Sequence, residues 1–327
     1  MKVLIVGKTT GWMGLHVSHI LKAFQKCGHQ THCIDYKVPF EQILPDKLAQ
    51  NIREQFLESV VKKWSPDLIY FVGSWKYDLC RLKTYFKGIS AIHDLDGPRR
   101  LRENFHEAYA FADLPLTVSK YMQRLLAEKG IEAYYLPSAA DTDYYAPAQL
   151  SQRDLKHFSS EISYIGRATA KRMDYCSALP AGKLALYGDR WAKMARKPHP
   201  ELLPAVRMKR NVRDKELVAI YQASRAVLNI SQEPLDKFQT ILSLQCFAIP
   251  AAGGCLLAEY VEEAPEAFDD QKEILLFKSR EELVDLAAKC VADPAFAAKI
   301  GEAGRKKCIQ CHTHEHRVKE IEKILRG

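Results

Sequence analysis

The 327-residue chain is 47% hydrophobic and 27% charged, with a net charge of +8 from 48 basic and 40 acidic residues. This is the composition of a folded globular protein and excludes disorder as its main state. The longest uncharged apolar run, Cys246 to Ala258, is interrupted by Pro250, Gly253 and Gly254 and is shorter than the about 20 residues of a membrane span, so any membrane contact is expected to be peripheral.

The length favours two domains, each able to bury its own core. Met1 to Gly7 is too short for an export signal and reads as a strand, which predicts a cytoplasmic protein. Nine scattered cysteines then read as reduced thiols. The positive balance suits an anionic ligand. With no zinc-finger spacing, stacking-aromatic signature or long basic arm, nucleic acid is not expected as a partner.

Short β-rich runs alternate with amphipathic stretches. Val3–Val6, Gln30–Ile34, Asp67–Val72, Ser90–His93, Leu114–Val118 and Glu132–Leu136 are predicted strands. Between them, His16–Lys26, closed by Gly28, and Leu44–Lys63 are predicted helices. The pattern breaks from Leu136 to about Ser160, where the interdomain linker is placed. A second series follows, with strands at Ile162–Ile165, Lys183–Tyr187, Ala226–Ile230, Cys255–Ala258 and Glu273–Phe277. Its helices are Glu216–Ser224, Thr240–Ala251, Glu281–Val291, Pro294–Ile309 and Glu315–Leu325, with Asp293 as the N-cap before Pro294. The expectation is an α/β protein of two Rossmann-like domains facing across a cleft, with ligand loops at the carboxyl ends of the strands.

Five segments bear on chemistry. The loop Gly7 to Gly14 lies between a strand and a helix, with glycines at 7, 11 and 14; this is neither the dinucleotide fingerprint nor a Walker loop. It suits either a substrate-facing loop, with Gly11, Trp12 and Gly14 on the acceptor side, or a tight turn. At the end of the fourth strand, His93, Asp94 and Asp96 offer a general base, and Asp96-Gly97-Pro98 is equally good turn chemistry. Gly166-Arg167 with Lys171-Arg172 gathers cations at a strand end and helix start, against the helix dipole, which points to an anion that offsets them. The basic stretch Arg207 to Lys215 reads as a solvated face. Cys308, Cys311 and the histidines at 312, 314 and 316 have ligand chemistry, but no second cluster accompanies them, and no metal is expected.

Several segments together resemble a known family: Tyr164-Ile165-Gly166-Arg167 with Lys171-Arg172, Leu186 to Trp191, Tyr221 to Ser224, Leu228-Asn229-Ile230, Phe247 to Leu257, and the tail His312 to Arg317. The chain is similar to glycosyltransferases of the GT-B architecture, of the group-1-like kind found in spore-maturation CgeB-like proteins. The resemblance implies an acceptor-binding domain over residues 1–150, a nucleotide-sugar-binding domain over 151–310, and a C-terminal helix over 311–327 that packs toward the first domain. It implies metal-independent sugar transfer from a nucleotide-diphosphate sugar, a co-substrate, with no bound cofactor. The acceptor class stays open among glycans, lipid-linked glycans, proteins and small molecules.

Gly166, Arg167, Lys171 and Arg172 are then expected near the diphosphate, Tyr187 and Gly188 near the base, and Asn229 and Thr240 toward the donor. In the family a glutamate follows the phenylalanine at the position of Ala248 and contacts the ribose; a methyl group cannot accept hydrogen bonds. Glu233, Asp236 and Glu259 are the nearest acidic replacements. The departure makes a catalytically weak or inactive protein that binds a nucleotide or glycan the alternative.

Overall fold

The computed structural model describes residues 1–38, 41, 43–73, 76–95, 105–208, 210, 212, 214–231 and 241–327. The chain forms two compact units, residues 1–138 with 314–327, and residues 139–313.

The first unit is built on a parallel sheet of β1 (Lys2–Gly7), β2 (Gln30–Asp35), β3 (Leu68–Val72), β4 (Ile89–Asp94), β5 (Leu114–Thr117) and β6 (Tyr134–Tyr135). Its order is β2-β1-β3-β4-β5-β6. Val3 to Val6 are all fully buried, because side chains alternate to opposite faces and both faces are covered. Leu4, Val6, Ile69 and Phe71 pack on one side, and Val3, Ile5, Leu68 and Tyr70 on the other. The His314–Arg326 helix belongs to this unit and adds Val318 and Ile321 to the second of these clusters.

The second unit repeats the plan with β7 (Ser160–Ile165), β8 (Leu184–Tyr187), β9 (Val206–Met208), β10 (Ser224–Asn229), β11 (Leu256–Glu259) and β12 (Leu275–Phe277). The order is β12-β11-β10-β7-β8-β9, again parallel. Its strands alternate likewise, Tyr164, Leu186 and Leu228 facing one cluster and Ile165, Tyr187 and Val227 the other.

Each strand order reverses once, between β1 and β3 in the first sheet and between β7 and β10 in the second. Ligands of doubly wound sheets bind beyond the carboxyl ends of the strands at such a reversal.

The α/β expectation of two Rossmann-like sheets holds, and local details differ. The first helix starts at Gly11, so Gly11, Trp12 and Gly14 are its opening turn and not a free loop. A Cβ on Gly14 would lie 2.4 Å from the Thr9 backbone, so glycine allows the helix to start against the chain that precedes it. The segment before β7 contains a helix, Gln152–Phe158, opened by a capping box between Ser151 and Asp154. The predicted Thr240–Ala251 helix is Gln245–Ala251, with Pro250 inside it; Thr240 lies outside the described residues.

Candidate functional site

At the β7–β10 reversal the chain leaves β7 through Gly166, whose φ of +154° favours glycine. The Gly166 N–H donates to the Tyr187 carbonyl (2.9 Å), and the Gly166 carbonyl accepts from the Trp191 indole N–H (2.8 Å). Gly188, at φ +134°, presses against this turn: a Cβ there would lie 2.3 Å from the Gly166 oxygen. The two glycines thus bring the ends of β7 and β8 into backbone contact.

The Ala170–Ser177 helix begins directly after this turn, and its Thr169 side chain accepts from the Arg172 N–H. Arg172 Nε donates to the Ile230 carbonyl and Nη1 to the Arg167 carbonyl, both at 3.0 Å, and the guanidinium lies 5.5 Å from the Tyr164 ring centre. It is a brace across the ends of β7 and β10. Arg167 is different: its half-exposed side chain makes a 3.3 Å contact with the Asp189 carboxylate, a pairing of little energetic weight. Lys171 Nζ lies 2.6 Å from Glu259 Oε1 and 2.6 Å from Ser231 Oγ. Asn229 Nδ2 donates to Ser243 Oγ (2.8 Å), and Gln245 Nε2 donates to the Ile165 carbonyl (3.0 Å).

The structure therefore gathers Gly166, Arg167, Lys171, Arg172, Gly188 and Asn229 around adjoining strand ends of one unit. It does not bring there the side chain of every residue expected on the donor side. Tyr187 and Ala248 are buried in the same hydrophobic cluster, with Ala248 only 1% exposed. Periodicity and motif spacing gave no sign of the Trp191 and Gln245 contacts, because both rest on single polar side chains meeting backbone carbonyls far away in sequence.

In the first unit, the Thr9 N–H and Oγ1 both donate to Asp35 Oδ2, at 2.9 and 2.6 Å, which ties the chain after β1 to the end of β2. These bonds and the neighbouring Lys37 outweigh partial burial and lower the Asp35 pKa. Gly11 has φ +68°. The Trp12 side chain lies outside the described residues, as does Asp96.

His93, in β4, is buried. Its Nε2 donates to the Leu136 carbonyl at 3.2 Å, which leaves Nδ1 to accept from the Tyr70 hydroxyl at 2.6 Å. Burial pushes the Tyr70 phenol up, so it stays a donor. Burial, offset in part by the Leu136 bond, pushes His93 down to about 4, with Arg317 adding to the fall. His93 is thus a neutral imidazole with both nitrogens engaged. Asp94 is also buried, and its charge acts on the nearby Tyr109 hydroxyl.

The tail residues separate. His312 ends the Pro294–Cys311 helix, where its ring packs on Phe247 and Phe268 and its Nε2 donates to the Ala267 carbonyl at 2.8 Å. His314 belongs to the other unit, with its ring centre 5.7 Å from that of His19. Among the described residues no group of three or more His, Cys, Asp or Glu side chains is arranged to hold a metal ion. No described helix is long and apolar enough to cross a membrane.

Residues 167–323, which carry most of these strand-end contacts, match the family model described as glycosyl transferase-like. No curated protein sequence matches the chain. Among solved structures, a glycosyltransferase from Rickettsia africae is 15% identical with a TM-score of 0.74, the match covering 99% of this chain and 97% of that one. Sucrose-phosphate synthase from Thermosynechococcus elongatus is 14% identical with a TM-score of 0.72, covering 100% and 98%. Anabaena HepE in complex with UDP-glucose is 14% identical with a TM-score of 0.69, covering 100% and 99%. The glycosyl transferase-like region and the pair of parallel six-stranded sheets together make this chain similar to the glycosyltransferases of the GT-B fold.

Proposed function

We propose that the protein transfers a sugar from a nucleotide-diphosphate sugar, with the donor held in the second unit. The observation that carries this reading is the meeting of Gly166, Arg167 and Lys171 at the β7–β10 reversal, with Arg167 and Lys171 inside the region that matches the glycosyl transferase-like model. HepE, a protein of similar fold, binds UDP-glucose, so a uridine donor is the first to test.

In the reaction, the bond between the sugar anomeric carbon and the diphosphate oxygen breaks, and the acceptor hydroxyl oxygen bonds to that carbon. The developing charge on the diphosphate is stabilised by Arg167, Lys171 and the start of the Ala170–Ser177 helix, so no metal ion is required. The hydroxyl proton passes to a carboxylate at the end of β4, for which Asp94 is the first candidate. The Gly11–Gly14 turn faces the acceptor, and the reaction takes place in the cytoplasm.

Ala248 favours a second reading. A buried methyl where the family places a glutamate supports a protein that binds nucleotide without efficient turnover. A panel of nucleotide sugars, incubated with and without glycan acceptors and with a chelator, separates the two. Release of nucleoside diphosphate that survives chelation supports transfer. Saturable nucleotide binding without release supports the binder. Neither binding nor release would overturn both.

A further inference from the structure

The ammonium of Lys171 and the carboxylate of Glu259 meet in a place where neither is easily kept. Lys171 stands in the first turn of the Ala170–Ser177 helix, where the dipole opposes a cation. Its four-carbon stem is flexible, so an unanchored ammonium would swing toward water. The side chain is nevertheless only 15% exposed, and Glu259, at the end of β11, is 2% exposed. A buried ion pair recovers its desolvation cost only with close geometry and further hydrogen bonds. Both are present. Glu259 Oε1 lies 2.6 Å from the ammonium, and Oε2 accepts from the Ser231 N–H (3.0 Å) and Oγ–H (2.5 Å). Ser231 Oγ in turn accepts from Lys171 Nζ. The helix after β7, the chain just beyond β10 and the last residue of β11 are thus joined by one polar network at the sheet reversal. Arg172 needs no such anchor, because its guanidinium is already fixed by two backbone carbonyls.

We infer that Glu259, braced by Ser231, is a positioning residue that holds the Lys171 ammonium at the β7–β10 reversal, where it meets the diphosphate of the donor. The inference rests on the transferase reading for the identity of the ligand, and on the Lys171–Ser231–Glu259 geometry for the role. Glu259 acts only through Lys171: it is anionic, and its own direct effect on a diphosphate is repulsive.

The test is a double-mutant cycle read by isothermal titration with two probes, UDP and inorganic pyrophosphate. Glu259→Gln keeps the shape and the acceptor for Ser231 and removes the charge that holds Lys171. Lys171→Met removes the ammonium, and the double variant removes the pair without stranding a buried charge. Melting temperatures confirm that each variant is folded at the titration temperature. The expected result is a loss of about tenfold for Glu259→Gln and about tenfold or more for Lys171→Met, the scale of one charge-assisted hydrogen bond. The double variant is expected to bind no worse than Lys171→Met alone. Equal losses from Glu259→Gln in both backgrounds, or no loss from Glu259→Gln in the wild type, would overturn the positioning role while leaving the transferase reading intact. Pyrophosphate binding with the expected coupling but no UDP binding would overturn the nucleotide reading and keep the positioning role. Failure of the wild type to bind either probe overturns both.

Discussion

Gly188 illustrates how a single hydrogen atom in place of a side chain sets the geometry of the candidate site. Its φ of +134° is unfavourable for any other residue, and a Cβ would be driven into the Gly166 carbonyl. Gly188→Ala is expected to cost about 2–4 kcal/mol of stability through strain and overpacking, measured by urea denaturation. Ala248 poses the opposite question, because the resemblance to the GT-B glycosyltransferases implies a large, charged glutamate there. The position is buried in a cluster with Phe247, Ile249 and Phe268, so Ala248→Glu is expected to lose about 3–5 kcal/mol as a buried carboxylate without a partner. Nucleotide affinity measured on the same variant decides the matter: tighter UDP binding with an unchanged melt would show a carboxylate-shaped site there. The sequence exposes the substitution itself but not its surroundings. Burial at this position comes from residues far along the chain, such as Cys308, which no local pattern announces.

The elements divide by length in how readily the sequence reveals them. Parallel strands buried on both faces leave continuous apolar runs such as Val3 to Val6 and Leu68 to Val72, and these are legible. The Leu79–Tyr85, Lys120–Ala127, Gln152–Phe158 and Ala170–Ser177 helices have seven or eight residues each, too few for a periodic stripe. Only their N-caps, Asp78, Ser119, Ser151 and Thr169, mark them along the chain, and a reading by periodicity passes over such single residues. The last of these helices and the turn before it carry two arginines in contrasting roles, Arg172 and Arg167, which gives a paired prediction. Arg167→Ala removes only an exposed contact with Asp189, so stability should change by less than about 0.5 kcal/mol. UDP affinity should nevertheless fall about ten- to a hundredfold, the scale of a hydrogen bond to a charged group. Arg172→Ala strips donors from the Ile230 and Arg167 carbonyls and should cost about 1–3 kcal/mol of stability. Thermal melts and UDP titrations on both variants check the contrast; a destabilised Arg167→Ala with unchanged affinity would exchange the roles.

At the scale of the molecule, the feature with the widest consequence is the set of buried histidines in the first unit. His16 and His19 come from the Gly11–Lys26 helix, His93 from β4 and His314 from the C-terminal helix, so three separate parts of the chain contribute. The tail histidines invite a metal reading in sequence, and the fold instead places His314 among these buried rings. Burial, reinforced by His19 and His93, pushes His16 down to about 3. Burial likewise lowers His93 to about 4, and it takes His314 well below its ordinary value, with His19, His16, Arg317 and His93 adding to the fall. All three are therefore neutral in the folded protein at pH values where an unfolded histidine, at about 6.5, takes a proton. Between about pH 6.5 and 4 the unfolded chain binds more protons than the folded one, so stability declines as pH falls through this window. Each such group contributes a slope of roughly 1 kcal/mol per pH unit, and above pH 7 the contribution is constant. Urea midpoints of the full chain measured from pH 4.5 to 7.5 should fall with acidification. His16→Gln, which stays neutral, should flatten that decline. Midpoints independent of pH in the wild type, or an unchanged slope in His16→Gln, would show that the buried rings do not set the acid limit. The prediction depends on the first unit's own packing and on no ligand, so it can be tested whatever the second unit binds.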